Sequence, residues 1–341
     1  MIPTSSVFAA TKTVKKATPK TKVSAPVKLE HLMYYIPGEG SFATLQTYGK
    51  QVGIFAPQVY AVDSTGTLTG KISDIARSEL DKNKTKIMPL VVNKDFNRDT
   101  MHDILESASV QDTVINNLIT EAKSKGYIGW QYDFEAIDAR YRDQYSSFVE
   151  RSATAFKREK LLFSVAVIAR TSEKPTDLPD GSWDYYAGVY DYKRIAAAAD
   201  FVTLMSYDDP YSTGPLANIE WFKKTVTYAK KLIPAKKLSI GIPVYGWIWD
   251  ETTNKRVKTV GYDKYLELIV NNLYKEKGFD KKFGTSWITY TDEKTGKPYK
   301  LWYEDAASFK LKYDFVKNQK LRGVSIWSIG QEDEFIWKFI K

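Results

Sequence analysis

From His31 onward, short apolar runs alternate with segments in which apolar residues recur every three or four positions. Eight runs have the length and side-chain make-up of buried strands: His31–Ile36, Val52–Gln58, Lys86–Val92, Ile128–Phe134, Leu161–Ala166, Phe201–Ser206, Leu238–Val244 and Gly323–Ser328. Between them, Ser109 is placed to cap a helix whose Val114, Ile115, Leu118, Ile119 and Ala122 share a face, with Gly126 ending it. Asn218 is placed to cap another, where Ile219, Phe222, Val226 and Ala229 recur before Pro234. Ala306, Phe309, Tyr313 and Val316 mark a third, just ahead of the last run. Strand and helix alternating through eight strands predict an α/β fold, a (β/α)8 TIM barrel. The alternative, a doubly wound open sheet, requires a glycine-rich phosphate turn after the first strand. Ile36-Pro-Gly-Glu-Gly-Ser41 is a poor match for one.

The stretch between the seventh and eighth runs is far longer than one helix needs. Within it Tyr262–Tyr274 has helical spacing, and Trp287–Leu301, with Thr295-Gly296 inside, reads as a hairpin. Together they predict a small insertion roofing the barrel mouth, so residues 30–341 form one barrel domain. Residues 1–29 read as a flexible basic lead-in, because Thr4–Lys28 is rich in Thr, Lys, Ala and Pro and lacks hydrophobic periodicity.

Composition narrows the chemistry. With 341 residues and no cysteine, disulfide scaffolds, thiol nucleophiles and thiolate metal sites are excluded. Two histidines, His31 and His102, leave little material for an imidazole relay. The work falls to carboxylates, hydroxyls and aromatic rings, which are 14% of the chain. The net charge of +9 includes six lysines of residues 1–29, where no acid occurs, leaving +3 for the rest. The tail is expected to attract any polyanion, whether wall polymer, anionic membrane or nucleic acid, by weak, salt-sensitive forces. It forms no recognised nucleic-acid module, so no nucleic-acid partner is expected. No apolar run is long enough to span a membrane, and Met1-Ile-Pro-Thr-Ser-Ser shows no intact signal peptide.

In such barrels the functional residues stand at the carboxyl ends of the strands. The fourth run ends Gly129-Trp-Gln-Tyr-Asp-Phe-Glu135. A period of two puts Gln131, Asp133 and Glu135 on one face, toward the barrel axis, and Trp130, Tyr132 and Phe134 on the other. Two acids on adjacent inward positions are costly unless they share a proton or find donors, and that cost points to function. The sixth, seventh and eighth runs end Met205-Ser-Tyr-Asp208, Gly241-Ile-Pro-Val-Tyr-Gly246 and Ser325-Ile-Trp-Ser-Ile-Gly330. They bring Tyr207, Asp208, Tyr245 and Trp327 to the same mouth, where a tryptophan beside carboxylates can floor a sugar ring.

These segments resemble glycoside hydrolase family 18, the chitinases and related N-acetylglucosaminidases. Tyr127–Glu135 is similar to its fourth-strand signature, Met205–Asp208 to its sixth-strand motif and Gly241–Gly246 to its seventh. Tyr303-Glu-Asp-Ala306 and the segment Gly323–Asp333 resemble the bacterial branch that includes spore-cortex and cell-wall hydrolases. The resemblance implies a retaining glycosidase in which the substrate's own 2-acetamido group attacks the anomeric carbon, an exception to the two-carboxylate scheme. It implies Glu135 as general acid and base, Asp133 as partner of the acetamido N–H, and Tyr207 as partner of the acetamido carbonyl. Gln131, Asp208, Trp327, Tyr34 and Tyr245 would bind substrate.

The implied substrate is an N-acetylglucosamine polysaccharide, peptidoglycan ahead of chitin or glycoprotein glycans. The protein would act outside the cell or on its wall, as a monomer, with no metal or other cofactor. Two positions depart from the family pattern: Ile128 and Gln131 stand where the family carries acids. An amide cannot take a proton from Asp133, although it can hydrogen-bond to it. The rival reading is a sugar-binding, lectin-like barrel. A metal-dependent barrel enzyme, which needs several ligands from different strand ends, comes third.

Overall fold

The computed structural model describes residues 29–340, so the lead-in expected over residues 1–29 lies outside it apart from Leu29. Eight parallel strands occupy the expected places: Glu30–Tyr35, Ile54–Val62, Leu90–Asn93, Gly129–Tyr132, Leu162–Ile168, Phe201–Met205, Leu238–Pro243 and Gly323–Trp327. Each pairs with the next, and the last pairs with the first, Leu32 lying opposite Ser325. The sheet is therefore closed into a barrel, and the open-sheet alternative fails.

The alternation of the fourth strand explains both layers. Trp130, Tyr132 and Phe134 are fully buried between barrel and helices. Their polar tips find partners there: the Trp130 indole N–H donates to the Leu118 carbonyl (2.8 Å) and the Tyr132 hydroxyl to Ser152 (2.9 Å). Inside, Ile54, Leu90 and Phe201 pack with Ile128 and Leu162 as an apolar layer. A neutral polar layer accompanies it. The Tyr34 hydroxyl donates to Gln131 Oε1 (2.7 Å), and Gln131 Nε2 donates to Ser164 (2.6 Å) and Thr203 (3.1 Å). Thr203 and Ser239 each hydrogen-bond Ser325, at 3.2 and 2.7 Å. These bonds satisfy groups that burial would otherwise penalise.

Two sequence expectations need correction. The helix Ala108–Lys125 is capped by Ser107, whose hydroxyl accepts from the Val110 N–H, and not by Ser109. Ser107 has the extended backbone a cap requires, whereas Ser109 already lies in the first turn and hydrogen-bonds Ser107. The Gly126 terminus, the Asn218 cap and the helix Ala306–Asn318 are as expected.

The insertion is more than a helix and a hairpin. It is a five-stranded antiparallel sheet of Gly246–Asp250, Lys255–Val260, Glu276–Asp280, Thr285–Thr291 and Pro298–Tyr303, and its helix, Tyr262–Val270, stops short of Tyr274. One face packs Trp247, Trp249 and Trp302 on Leu216 and Ala217 of the loop after the sixth barrel strand. The other packs Ile248, Ile288, Leu301 and Tyr303 on Leu268 of the helix. Gly246–Asp250 escaped the sequence pattern because only Val244 and Tyr245 separate it from the seventh strand, so the two merge into one apolar stretch. Lys255–Val260 and Glu276–Asp280 escaped because they are edge strands with little apolar alternation.

Where the sheet rejoins the barrel, Glu304 accepts two hydrogen bonds of 2.8 Å from Lys312, both side chains wholly shielded from water. Lys312→Met strands a buried carboxyl group and is expected to cost about 3–5 kcal/mol in urea unfolding, while adding Glu304→Leu recovers most of that loss. A single variant within about 1 kcal/mol of wild type would show that the pair is not a structural anchor. Among the described residues no helix is long and apolar enough to cross a membrane.

Candidate active site

The ladder continues past Tyr132, since the Asp133 N–H donates to the Val91 carbonyl (3.0 Å), and the inward alternation continues with it. Asp133 and Glu135 both line a cleft of about 600 Å³ at the carboxyl end of the barrel. Tyr207, Asp208, Tyr245 and Trp327 share its walls.

Gln131 and Tyr34 do not line it. They are fully buried in the barrel interior, where the Gln131 amide is engaged by Tyr34, Ser164 and Thr203. The expected Gln131–Asp133 hydrogen bond is therefore not made, and among the described residues Asp133 Oδ1 has no hydrogen-bond partner. Tyr34 instead backs Trp327, ring centres 5.0 Å apart.

An unpartnered carboxyl in a dry site favours its neutral form. Burial pushes Asp133 up to about 7. Burial, then Asp133 and then Asp208, push Glu135 up to about 8. Glu135 thus keeps a proton near neutrality, the state a general acid requires. Asp208 opens on the cleft but is hemmed in by protein, which raises it above the usual carboxylate range; the Tyr245 hydroxyl, donating at 2.6 Å, and the nearby Arg256 oppose that rise. The Tyr207 ring is seated by a missing side chain. A Cβ on Gly241 would come within 2.8 Å of the ring edge and 2.7 Å of the Leu204 carbonyl.

The backbone around Glu135 is held by residues that the sequence reading did not select. Asn93, fully buried at the end of the third barrel strand, accepts from the Glu135 N–H (3.0 Å) and donates to the Glu135 carbonyl (3.1 Å). The Tyr190 hydroxyl donates to the Phe134 carbonyl (2.8 Å), and Arg98 donates to that of Ala136 (3.3 Å). Ala136 has φ of 56°, uncommon for a residue with a side chain, and these neighbouring bonds over-determine the turn. Asn93 left one signal, a polar residue closing an apolar run.

Tyr186, Trp221 and Arg256 also line the cleft. The dense Trp183-Asp-Tyr-Tyr186 after the fifth strand was the clue to the first. The closing Gln-Glu-Asp segment is a brace and not part of the cleft. Glu332 accepts from Thr44 and from the Trp337 indole (3.1 Å each), and Asp333 accepts from the Ala306 N–H (2.8 Å). Among the described residues no three His, Asp or Glu converge as a metal site.

A buried acid beside further carboxylates and aromatic walls, at the mouth of a closed parallel barrel, is the layout of a carbohydrate-cleaving barrel enzyme. The chain belongs to the glycosyl hydrolases family 18, whose model matches residues 17–332, and it is a glycosidase. It is 28% identical to the uncharacterized glycosylase YvbX of Bacillus subtilis, over 90% of this chain and 89% of that one. It is 26% identical to the cortical fragment-lytic enzyme of the same organism, over 80% of this chain and 63% of that one. Among solved structures, the spore cortex-lytic enzyme SleL of Bacillus megaterium superposes with a TM-score of 0.81 at 26% identity, covering 93% of this chain and 74% of that one. A chitinase from Chromobacterium violaceum gives 0.80 at 26% identity, covering 92% and 98%.

Proposed function

We propose that the protein hydrolyses β-linked N-acetylglucosamine polymers with retention, peptidoglycan in preference to chitin. The observation that carries this reading is Glu135 standing in the cleft with Asp133 and Asp208, where burial and the two acids favour its protonated form. Glu135 gives its proton to the leaving oxygen while the substrate's acetamido carbonyl closes on the anomeric carbon. Asp133, whose Oδ1 has no hydrogen-bond partner among the described residues, accepts from the acetamido N–H and, once ionised, stabilises the positive charge that develops on the ring. Tyr207 donates to the acetamido oxygen. Glu135, now ionised, takes the proton of the water that opens the intermediate. Trp327, backed by Tyr34, floors the reacting sugar. Gln131 acts indirectly, through the neutral network that holds Tyr34.

Peptidoglycan is favoured by the likeness to cortex-lytic proteins and by the lysine-rich residues 1–29, suited to an anionic wall, where the protein would act. The test is to digest bacterial sacculi and chitin oligomers side by side and identify products by mass spectrometry. Sacculi are expected to release fragments with new reducing ends at N-acetylglucosamine, faster than chitin oligomers are cut. Fast chitin cleavage with intact sacculi would move the substrate to chitin; binding to both without products would move the reading to a sugar-binding barrel.

A further inference from the structure

We propose that Arg256 is a carboxylate-reading residue, which selects glycans whose sugars bear an acidic side group over uncharged ones of the same length. The inference rests on the substrate class proposed above and names the chemistry by which that class would be told from chitin. Its basis is the charge pattern of the cleft. The walls carry three carboxyl groups, Asp133, Glu135 and Asp208, and one cationic side chain, Arg256. Arg256 partly offsets the charge of Asp208, and among the described residues its N–H donors are left open to a ligand.

Arg256 comes from Lys255–Val260, the edge strand of the insertion, on which residues 255–259 are exposed. Its guanidinium lies over the face of Trp247, 4.1 Å from the ring centre. That contact holds the group in place without engaging its N–H donors. Among the described residues no hydrogen bond or ion pair is formed by this side chain, in contrast to Arg142, Arg151, Arg170, Arg194 and Arg322, each bound to carboxylates. A guanidinium seated over an indole at the edge of a cleft, with its N–H donors unengaged, is prepared for a doubly accepting anion. In a glycan that alternates N-acetylglucosamine with its 3-O-lactyl derivative, the sugars flanking each N-acetylglucosamine carry such a carboxylate, free or as the start of a peptide. Electrostatics add discrimination, because Asp208, when ionised, repels a carboxylate that is not matched by a cation.

The test uses wild type, Arg256→Gln and Arg256→Lys, with two soluble tetrasaccharides: one alternating and bearing free lactyl carboxylates, the other chitotetraose. For wild type, the ratio of kcat/KM, lactylated over plain, is expected to fall about ten-fold when salt is raised or when the lactyl carboxylates are amidated. Arg256→Gln is expected to lower that ratio about ten-fold and to abolish its response to amidation, while Arg256→Lys, a point charge without the fork, recovers only part. A ratio unchanged in Arg256→Gln, or losses equal on both substrates, overturns the proposal. Calorimetric binding of the same sugars in a Glu135→Gln background, with and without the Arg256 change, reads the contrast even if turnover is absent. Failure of wild type to cleave or bind either sugar would sink the proposed function itself.

Discussion

Glu135→Gln is expected to remove turnover by several orders of magnitude while leaving sugar binding nearly unchanged. The amide keeps the shape of the side chain and its place on the Asn93 clasp, which holds backbone atoms only. What it loses is the transferable proton. General acid and general base steps are each worth roughly 10²–10⁴ in rate, and one residue is assigned both. The wild-type pH profile should carry the same residue's signature. Glu135 is pushed up to about 8, so kcat/KM should hold its acid form through neutrality and fall on the alkaline side as that proton leaves. Any residual activity of the variant should lack this alkaline limb. Activity within ten-fold of wild type, or an unchanged limb, would remove Glu135 from the mechanism.

What the sequence made legible follows from which interactions are local. Strand alternation at Gly129–Glu135 separated the inward acids from the outward aromatics without any knowledge of neighbours, and the eight apolar runs then ordered the barrel. Depth along the barrel axis is not encoded in a period of two. Gln131 and Asp133 share a face, yet Gln131 is tied to Ser164 and Thr203 inside the barrel while Asp133 reaches the cleft. Tyr34 likewise belongs to the barrel interior, where its hydroxyl serves Gln131 and its ring supports Trp327.

Asn93, Tyr190 and Arg98 were out of reach for another reason. They act on backbone atoms of residues 134–136 from 38 to 56 positions away, and no spacing rule connects such groups. The insertion was half legible, because Thr285–Thr291 and Pro298–Tyr303 flank a turn signal whereas the edge strand bearing Arg256 reads as solvated loop.

Asp133→Asn should lower kcat and raise stability together, in a pH-dependent way. The kinetic loss is expected at roughly 10²–10³, the size seen when one group aimed at developing charge is neutralised, with KM little changed. The stability gain comes from the same burial. An unfolded aspartate titrates near 3.8, and burial pushes Asp133 up to about 7 in the folded chain. Between those values the folded state binds more protons than the unfolded one, so wild-type stability declines as pH rises through that window and stays lowered above it. Asparagine has no charge to desolvate. The difference in unfolding free energy should therefore be near zero at about pH 4, open steadily, and level off above about pH 7 at on the order of 2–4 kcal/mol in favour of the variant. Urea unfolding of both proteins at several pH values, beside kinetics on one soluble substrate, reads the two effects. A variant less stable than wild type at pH 8, or a difference flat with pH, would mean that Asp133 is satisfied in the fold and that its ionisation carries no penalty. The expected result instead marks Asp133 as a group retained at a cost to the fold, because the developing positive charge of the sugar is the partner it lacks.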